Sequence, residues 1–491
     1  MKYQKRGVKW LLEHACAGLL LKPGFRKTSI TLAAISYLKK KGFKPKVLII
    51  APKRVCYSVW PGEVEKWKDF NHLRVEILHG KDREKALRRE ADIYTITAEG
   101  LQWLLSPQIT RSETHPNRKS VAVDVRAFKK LGFNILVIDE LSRFKHTTNI
   151  RFKTLKAVLH TFGRRWGLTG SPRSNNLEDL FGQTYVLDLG NALGQYITHF
   201  RRTYFDQVGP YDTVPKLGAE EQIYEKLSNL MMHVPESEID LPKMVPNDII
   251  IEFDDESRRM YNEMEALMLA EVEGKLVKAV NAGSKSVKCR QICCGGIYLD
   301  PEVITTLEVE LKMRKREWIN IHDLKTDALD DLVDEMQGRP LLVAYDFKHD
   351  LDRLRKRFPK ALFLSDVKDR DFRAVERRWN DGLYPLAFAH PKSIGHGLNL
   401  QECEADICWH TPTWDQEIYD QFNRRVVRSG NFRKHTMIHR LLVHDTVEDL
   451  VMMPSLESKE QGQQGFFNAL LALAKRRNTH AITTLTKHSR G

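Results

Sequence analysis

The chain has 491 residues, of which 42% are hydrophobic, and its 78 Lys and Arg against 64 Asp and Glu leave a net charge of +14. That length allows about three average domains, or two large ones with insertions, and the composition is that of a core-forming globular protein. No apolar run approaches the roughly 20 residues of a membrane span. The longest run near the start, Ala15–Leu21, passes directly into Lys22-Pro-Gly and reads as neither signal peptide nor anchor, so no membrane association is expected. The seven cysteines form no C-x-x-C pair and read as reduced thiols rather than a disulfide framework or a zinc site. The excess positive charge points to a polyanionic partner, because neutralised phosphates release their counterions.

Gly18–Leu21 reads as a strand, and the turn Lys22-Pro-Gly-Phe-Arg-Lys-Thr28 leads into the helical pattern Ser29–Lys40. A strand, a turn and a helix N-terminus carrying Lys-Thr aim backbone N–H groups and a lysine at phosphates. Lys27 then neutralises the β- and γ-phosphates of a nucleoside triphosphate, and the Thr28 hydroxyl ligates Mg²⁺. The strict Gly-x-x-x-x-Gly-Lys-[Ser/Thr] pattern is broken here: Leu21 and Arg26 occupy its glycine positions, and only Gly24 remains. Val47–Ala51 and Ile93–Thr97 are further strands. Ile135–Ile138 is a buried strand that delivers Asp139 and Glu140 at its C-terminal end, where open α/β sheets bind ligands. Asp139 suits the Mg²⁺ hydration shell and Glu140 the attacking water. Trp166–Thr169 closes this set, and Trp60, Trp67 and Trp103 read as core rather than base-stacking residues.

From about residue 175 to 335 the pattern is helical and irregular, with an amphipathic stretch at Ser257–Ala270, and the Pro-rich Asp240–Pro246 reads as a linker. A second alternation supplies strands at Leu341–Ala344, Leu362–Leu364, Leu386–Ala389, Ile407–His410 and Met437–Val443. Within it, Arg425 and Arg428 stand three residues apart, on one face if the segment is helical. Arginine's planar, permanently charged fork suits phosphate oxygens in a transition state. The expected fold is α/β, with two parallel-sheet lobes in tandem and helical insertions. Residues 1–240 form the first lobe, 241–335 a linker and helical insertion, and 336–452 the second lobe. Residues 453–491 carry a terminal helix, Phe466–Ala474, and a basic tail that opens with Lys475–Arg477.

In this order the elements resemble the Swi/Snf-type branch of superfamily-2 helicases, in the compact form that phages and bacteria encode, from Tyr3 to about Leu450. Tyr3-Gln4, with Gly7 and Trp10, looks like the glutamine motif, which implies that Gln4 reads adenine. Gly24, Phe25, Arg26, Lys27, Thr28 and Ser29 stand at the family's phosphate loop. Ala51-Pro-Lys53-Arg54-Val55, followed by Trp60 and Trp67, and Ile96-Thr97-Ala-Glu-Gly-Leu101 are similar to the elements that grip one DNA strand. Asp139-Glu-Leu-Ser142 fills the acidic box, and Leu168-Thr169-Gly170-Ser171-Pro172 resembles the coupling motif. Lys392 and the turn Gly395-His-Gly-Leu-Asn399-Leu400 look like the second lobe's DNA contact. Gln421 through Gly430 matches the final motif, which assigns Gln421 to the nucleotide and Arg425 and Arg428 to hydrolysis.

The resemblance implies two RecA-like lobes with ATP and Mg²⁺ in the cleft between them. It further implies duplex DNA, favoured over single strands, as a track for translocation in the cytoplasm of a bacterium or of an infected host. No site-recognising domain precedes Gln4, so a protein partner is expected to supply targeting. Two residues depart from the family: Arg26 replaces a glycine, and Ser142 stands where relatives usually carry histidine. The same motifs serve a strand-separating helicase, and a nucleotide-dead DNA-binding relative would keep the fold; the residues leave both open.

Overall fold

The computed structural model describes residues 1–22, 24–111, 119–170, 177–208, 213–235, 238, 241–273, 279–298, 318–369, 371–394, 398–428 and 430–457. The expected terminal helix and basic tail, and the predicted site residues Ser171 and Gly395, lie outside these residues. The chain divides into two compact units. The first is Met1–Asp240 with Lys368–Ala374 and His396–Leu398, and the remainder forms the second.

In the first unit seven strands form one sheet: β1 (Cys16–Leu20), β2 (Val47–Ile50), β3 (Val75–Ile77), β4 (Ile93–Ile96), β5 (Ile135–Asp139), β6 (Arg164–Thr169) and β7 (Met231–His233). They pair in the order β7-β1-β6-β5-β2-β4-β3, and every neighbouring pair is parallel. A parallel sheet has helices on both faces, so its central strands are apolar without alternation. The sequences VLII in β2 and IYTI in β4 are buried at every position. Helix α1 (Lys2–Glu13) packs on helix α2 (Lys27–Lys40), which follows β1 directly. Helix α3 (Trp60–Lys66) follows β2 through a π-helical turn at Val55–Val59.

The second unit repeats the plan with β8 (Lys243–Ile251), β9 (Leu341–Ala344), β10 (Leu362–Phe363), β11 (Leu386–Ala389), β12 (Asp406–Trp409) and β13 (His435–Val443). The order is β8-β13-β12-β9-β11-β10, again parallel throughout. These are the two tandem RecA-like parallel-sheet lobes expected from the strand pattern. The segment expected to link them is in part a strand. β8 begins at Lys243 and pairs with β13 over nine residues, from Lys243 opposite His435 to Ile251 opposite Val443. Pro246 is tolerated because β8 is an edge strand, where a missing N–H breaks no central ladder. The amphipathic stretch Ser257–Ala270 lies within the helix Asp255–Glu273, and a second helix, Ala279–Cys293, precedes the hairpin of Gly296–Tyr298 with Trp318–Asn320.

A buried polar network ties these helices and the hairpin to the second sheet. Lys325 and Glu448 are both wholly buried and pair at 2.7 Å, and Lys325 Nζ also donates to the His410 carbonyl at 3.1 Å. Glu448 accepts in turn from the Val443 N–H at the end of β13. Arg353 donates to the carbonyls of Gly295 and His322. Gly295 has φ +84, and a Cβ there would lie 2.0 Å from the His322 carbonyl oxygen, so only glycine fits this turn.

Removing one partner of a fully buried pair strands the other charge, so Lys325→Ala should cost about 3–5 kcal/mol in urea unfolding. Lys325→Met with Glu448→Leu should recover most of that loss. Acid should weaken the same region. Burial pushes His322 down to about 4 and His410 down to about 3, so both are neutral in the folded protein where the unfolded chain, near 6.5, takes up protons. Stability should therefore be full above about pH 6.5 and fall as pH drops toward 4. Melting temperatures that stay flat across that window would contradict this assignment.

Candidate nucleotide site

Three adjacent parallel strands bring the first unit's sequence-predicted residues to one edge of the sheet. β6 lies between β1 and β5, with Leu20 opposite Thr169 and Leu168 opposite Asp139. The ends are also hydrogen-bonded: Leu21 N–H donates to the Thr169 carbonyl at 3.1 Å, and Glu140 N–H to the Leu168 carbonyl at 2.9 Å. The phosphate-loop candidate, the Asp-Glu pair and Thr169 thus converge.

Between β1 and α2, Gly24 has φ +90 and Arg26 has φ +52. Arg26 is the N-cap of the 14-residue α2 in the left-handed conformation, with ψ +38. The missing glycine's backbone geometry is therefore adopted by an arginine, at a cost of roughly 1–2 kcal/mol. Its guanidinium lies 5.8 Å from the centre of the Trp67 ring. Lys27 opens α2 and turns its ammonium back onto the loop, donating to the Leu21 carbonyl at 2.6 Å. Thr28 is partly exposed on the first turn. Ser29 Oγ donates to Glu63 Oε2 at 2.8 Å. Phe25 is wholly buried, its ring 6.1 Å from that of Tyr3, so only its backbone faces the turn.

Beside this turn is a cavity of about 950 Å³, lined by Gln4 and Val8 of α1, Arg26, Ser29 and Tyr37, and Trp67 among others. Gln4 Oε1 accepts from the Met1 ammonium at 3.2 Å. The size and mixed apolar and polar lining are those of a small-molecule pocket.

At the end of β5, Asp139 Oδ2 accepts from the indole N–H of Trp60 at 3.0 Å. Glu140 takes a positive φ of +88. Its Oε1 accepts from Ser142 Oγ at 2.8 Å and from Thr169 Oγ1 at 3.4 Å. Non-glycine residues held in such sparsely populated conformations cluster at functional sites. Lys53 is half-exposed beyond β2. Thr97 is nearly buried and accepts from the Gly100 N–H, and Gly170 follows β6 directly.

Sequence reasoning set Trp60 and Trp67 after the strand-gripping segment and missed Trp60 and Glu63 as residues of the nucleotide site. Trp60, Glu63 and Trp67 are spaced i, i+3 and i+7, which places them on one side of a helix, and that spacing was the available signal. Trp60 is core, as expected, yet its indole N–H end belongs to the site; Trp67, read as core with it, is instead exposed.

In the second unit, helix α4 (Gln416–Asn423) ends before the arginines. Arg425 and Arg428 therefore do not share a helix face as expected, but lie in the turns that follow. The physical reason is local: Asn423 is wholly buried and accepts from the Trp409 indole N–H, pinning the helix end. Arg425 is 7% exposed, and its Nε donates to the Gln421 carbonyl at 3.1 Å. The Arg425 carbonyl accepts from Leu400 N–H, joining this turn to the segment after Leu398. Arg428 is half-buried. Asn399 is engaged by Glu376 through its N–H and side-chain amide at 3.2 and 3.4 Å. Lys392 is exposed on the short helix Pro391–Ile394.

Two tandem parallel sheets, with a Lys-Thr turn and an Asp-Glu strand end converging on the first, define the layout of a helicase-like ATPase. The comparisons agree: a model of the SNF2-related domain matches residues 3–296, and the chain belongs to that family. It is 32% identical over 470 residues to putative protein p41 of a phage of an Acyrthosiphon pisum secondary endosymbiont, covering 92% of this chain and 94% of that one. It is 25% identical to an uncharacterized ATP-dependent helicase of Mycoplasma genitalium, with 94% of this chain matched to 41% of the longer protein. The SWI2/SNF2 ATPase core of Sulfolobus solfataricus, solved in complex with dsDNA, matches 91% of this chain and 89% of its own with 18% identity and a TM-score of 0.41.

The left-handed turn gives a direct test. Arg26→Gly and Arg26→Ala both remove the guanidinium, but the glycine variant should be more stable by about 1 kcal/mol. Equal stabilities in urea unfolding would mean that the turn relaxes out of the left-handed region.

Proposed function

We propose that this protein is an ATP-driven motor that translocates along duplex DNA. The observation that carries the reading is the convergence of Lys27, Asp139, Glu140 and Thr169 at the ends of adjacent strands, with a cavity lined by Gln4, Arg26 and Ser29 at the same loop. The donor set fits its ligand. A helix N-terminus and a lysine suit phosphates, and the hydroxyl of Thr28 with the carboxylate of Asp139 are the hard oxygen donors Mg²⁺ takes. When bound there, Mg²⁺ would neutralise charge on the β- and γ-phosphates.

In this reading Gln4 recognises adenine, and Gly24 to Ser29 cradle the phosphates by their backbone. Glu140 orients a water and accepts its proton as the water oxygen bonds to the γ-phosphorus. The bond to the bridging oxygen breaks, releasing ADP and phosphate. Arg425 and Arg428, with Gln421 behind them, stabilise the charge on the transferring group. Residues 1–240 are then the nucleotide-holding lobe and 336–452 the arginine-supplying lobe, and hydrolysis requires both. Lys53, Arg54 and Thr97 in one lobe, and Lys392, Gly395 and Asn399 in the other, grip DNA phosphates without reading sequence. Thr169, Gly170 and Ser171 couple grip to hydrolysis. The net charge of +14 and the helicase designation of the mycoplasma relative support nucleic acid as the track. Displacement of bound protein, directed by a partner, follows as the output of such a motor.

Steady-state ATP hydrolysis with Mg²⁺ should rise strongly on adding duplex DNA and less with single strands or RNA. A preference for single strands would favour an unwinding helicase instead. Glu140→Gln should lower turnover by about 100-fold or more while nucleotide still binds, and Lys27→Ala should abolish it. Arg428→Ala should lose about 1,000-fold with ATP bound. If Arg425→Ala and Arg428→Ala both hydrolyse at the native rate, the two-lobe assignment is wrong. DNA affinity should fall steeply with added salt.

A further inference from the structure

The segment between β2 and Trp67 touches the candidate nucleotide site at three points. It begins with Lys53 and Arg54, passes through the π-helical turn Val55–Val59 and continues without a break into α3. The first point is Trp60, wholly buried, whose indole N–H donates to Asp139 Oδ2 at 3.0 Å. The second is Glu63, whose Oε2 accepts from Ser29 Oγ on the first turn of α2 at 2.8 Å. The third is Trp67. Its N–H donates to the same Glu63 oxygen at 2.8 Å while its ring lies under the Arg26 guanidinium. One short helix is thus bonded both to the strand that ends in the acidic pair and to the helix that opens on the phosphate loop.

The π-helical turn makes this a distinct mechanical element. The backbone N–H of Trp60 bonds back to the Val55 carbonyl, five residues earlier. Such turns recur at functional sites because the wider winding displaces the residues that follow. Ser58 Oγ donates to the Arg54 carbonyl at 2.7 Å, and Cys56 Sγ to the Ala51 carbonyl, so the turn is held to the residues that precede it. A shift of the Lys53–Arg54 backbone is therefore passed to α3 as a whole, and from α3 to Asp139 and Ser29.

We propose that residues 53–67 couple DNA binding to the nucleotide site within the first lobe, with Trp60 and Glu63 as positioning residues for Asp139 and for the phosphate loop. Trp60 fixes one oxygen of Asp139 and so sets the direction of the other. Glu63 holds Ser29 and Trp67 together and so fixes where Arg26 sits. This rests on the DNA-grip and nucleotide roles proposed above and deepens them: it names the route by which one acts on the other.

The test is a linkage measurement on the full chain. The dissociation constant of a fluorescent, non-hydrolysable ATP analogue is measured with Mg²⁺, with and without saturating duplex DNA, in the native protein, Trp60→Phe and Glu63→Ala. Coupled sites change each other's affinity by about 5- to 150-fold. The native protein should show such a ratio, and both variants should bring it to about 2-fold or less while binding DNA alone as the native protein does. Of the two variants, Trp60→Phe should also need several-fold more Mg²⁺ for half-maximal analogue binding, because Trp60, and not Glu63, bonds Asp139. A purely structural loss would weaken analogue binding equally with and without DNA and leave the ratio intact. Native ratios in both variants, or a native ratio near one, would overturn the proposal while leaving the motor reading in place. Failure of the native protein to bind the analogue would instead sink the nucleotide site itself. Should Trp60→Phe melt early, Glu63→Ala, at a partly exposed carboxylate, decides the matter.

Discussion

Parallel strand pairing is the constraint on which the rest of the first unit depends. A parallel neighbour can be reached only by a crossover, so every strand in the sheet points the same way and every loop after a strand opens on the same edge. With β6 between β1 and β5 in fixed register, residues separated by over a hundred positions have no choice but to meet. Lys27, Asp139 and Thr169 are neighbours because Leu20 pairs with Thr169 and Leu168 with Asp139. A one-residue slip in either pair would reverse every inward side chain and destroy both the core and the convergence together.

Given that edge, the backbone is bent locally to present side chains. Arg26 and Glu140 both sit at positive φ, each immediately after or before a regular element. Neither residue type favours that conformation, so surrounding contacts must hold it. For Glu140 these are the N–H bond to Leu168 and the hydroxyls of Ser142 and Thr169. Arg26 is held from the other side, by the ring of Trp67 and the start of α2. The second lobe solves a different problem. Its helical segments and hairpin are fixed to the sheet by buried charge: Lys325 and Arg353 donate to carboxylates or carbonyls, and Glu448 accepts from Lys325 and from the Val443 N–H. That solution fixes geometry at the cost of desolvation, so its value lies in specificity more than in stability.

Much of this was legible in the sequence, for a physical reason. Central parallel strands are apolar runs bounded by turns, and VLII, ILVI, LLVA and LAFA announce themselves. The short edge strands did not: β3 reads VEI with every residue partly exposed, and β7 reads MMH. β8 was hidden because Pro246 and Asp248 break its alternation, which only an edge position excuses. Site residues carried by motif spacing were visible one at a time, yet their bonding was not. Trp60 looked like core and is core, but no pattern says that its N–H points at Asp139. The end of α4 was missed because Asn423 is pinned by Trp409 at the end of β12, a contact between strand and helix that no helical pattern announces.

The two departures from the family pattern acquire a physical sense in this setting. A glycine in the phosphate loop lets the backbone turn without strain; here the turn is kept and a guanidinium is added beside the cavity at Gln4, where it can meet an anion. At position 142, a histidine would offer a ring that changes charge near neutral pH. Serine offers a hydroxyl that does not, and it donates to Glu140 at 2.8 Å beside the longer bond from Thr169. The carboxylate is thereby held by two hydroxyls, that of Ser142 and that of Thr169, the last residue of β6. Orientation of Glu140 is then set by hydroxyls fixed in the fold, one at the end of β6 and one in the turn that follows β5.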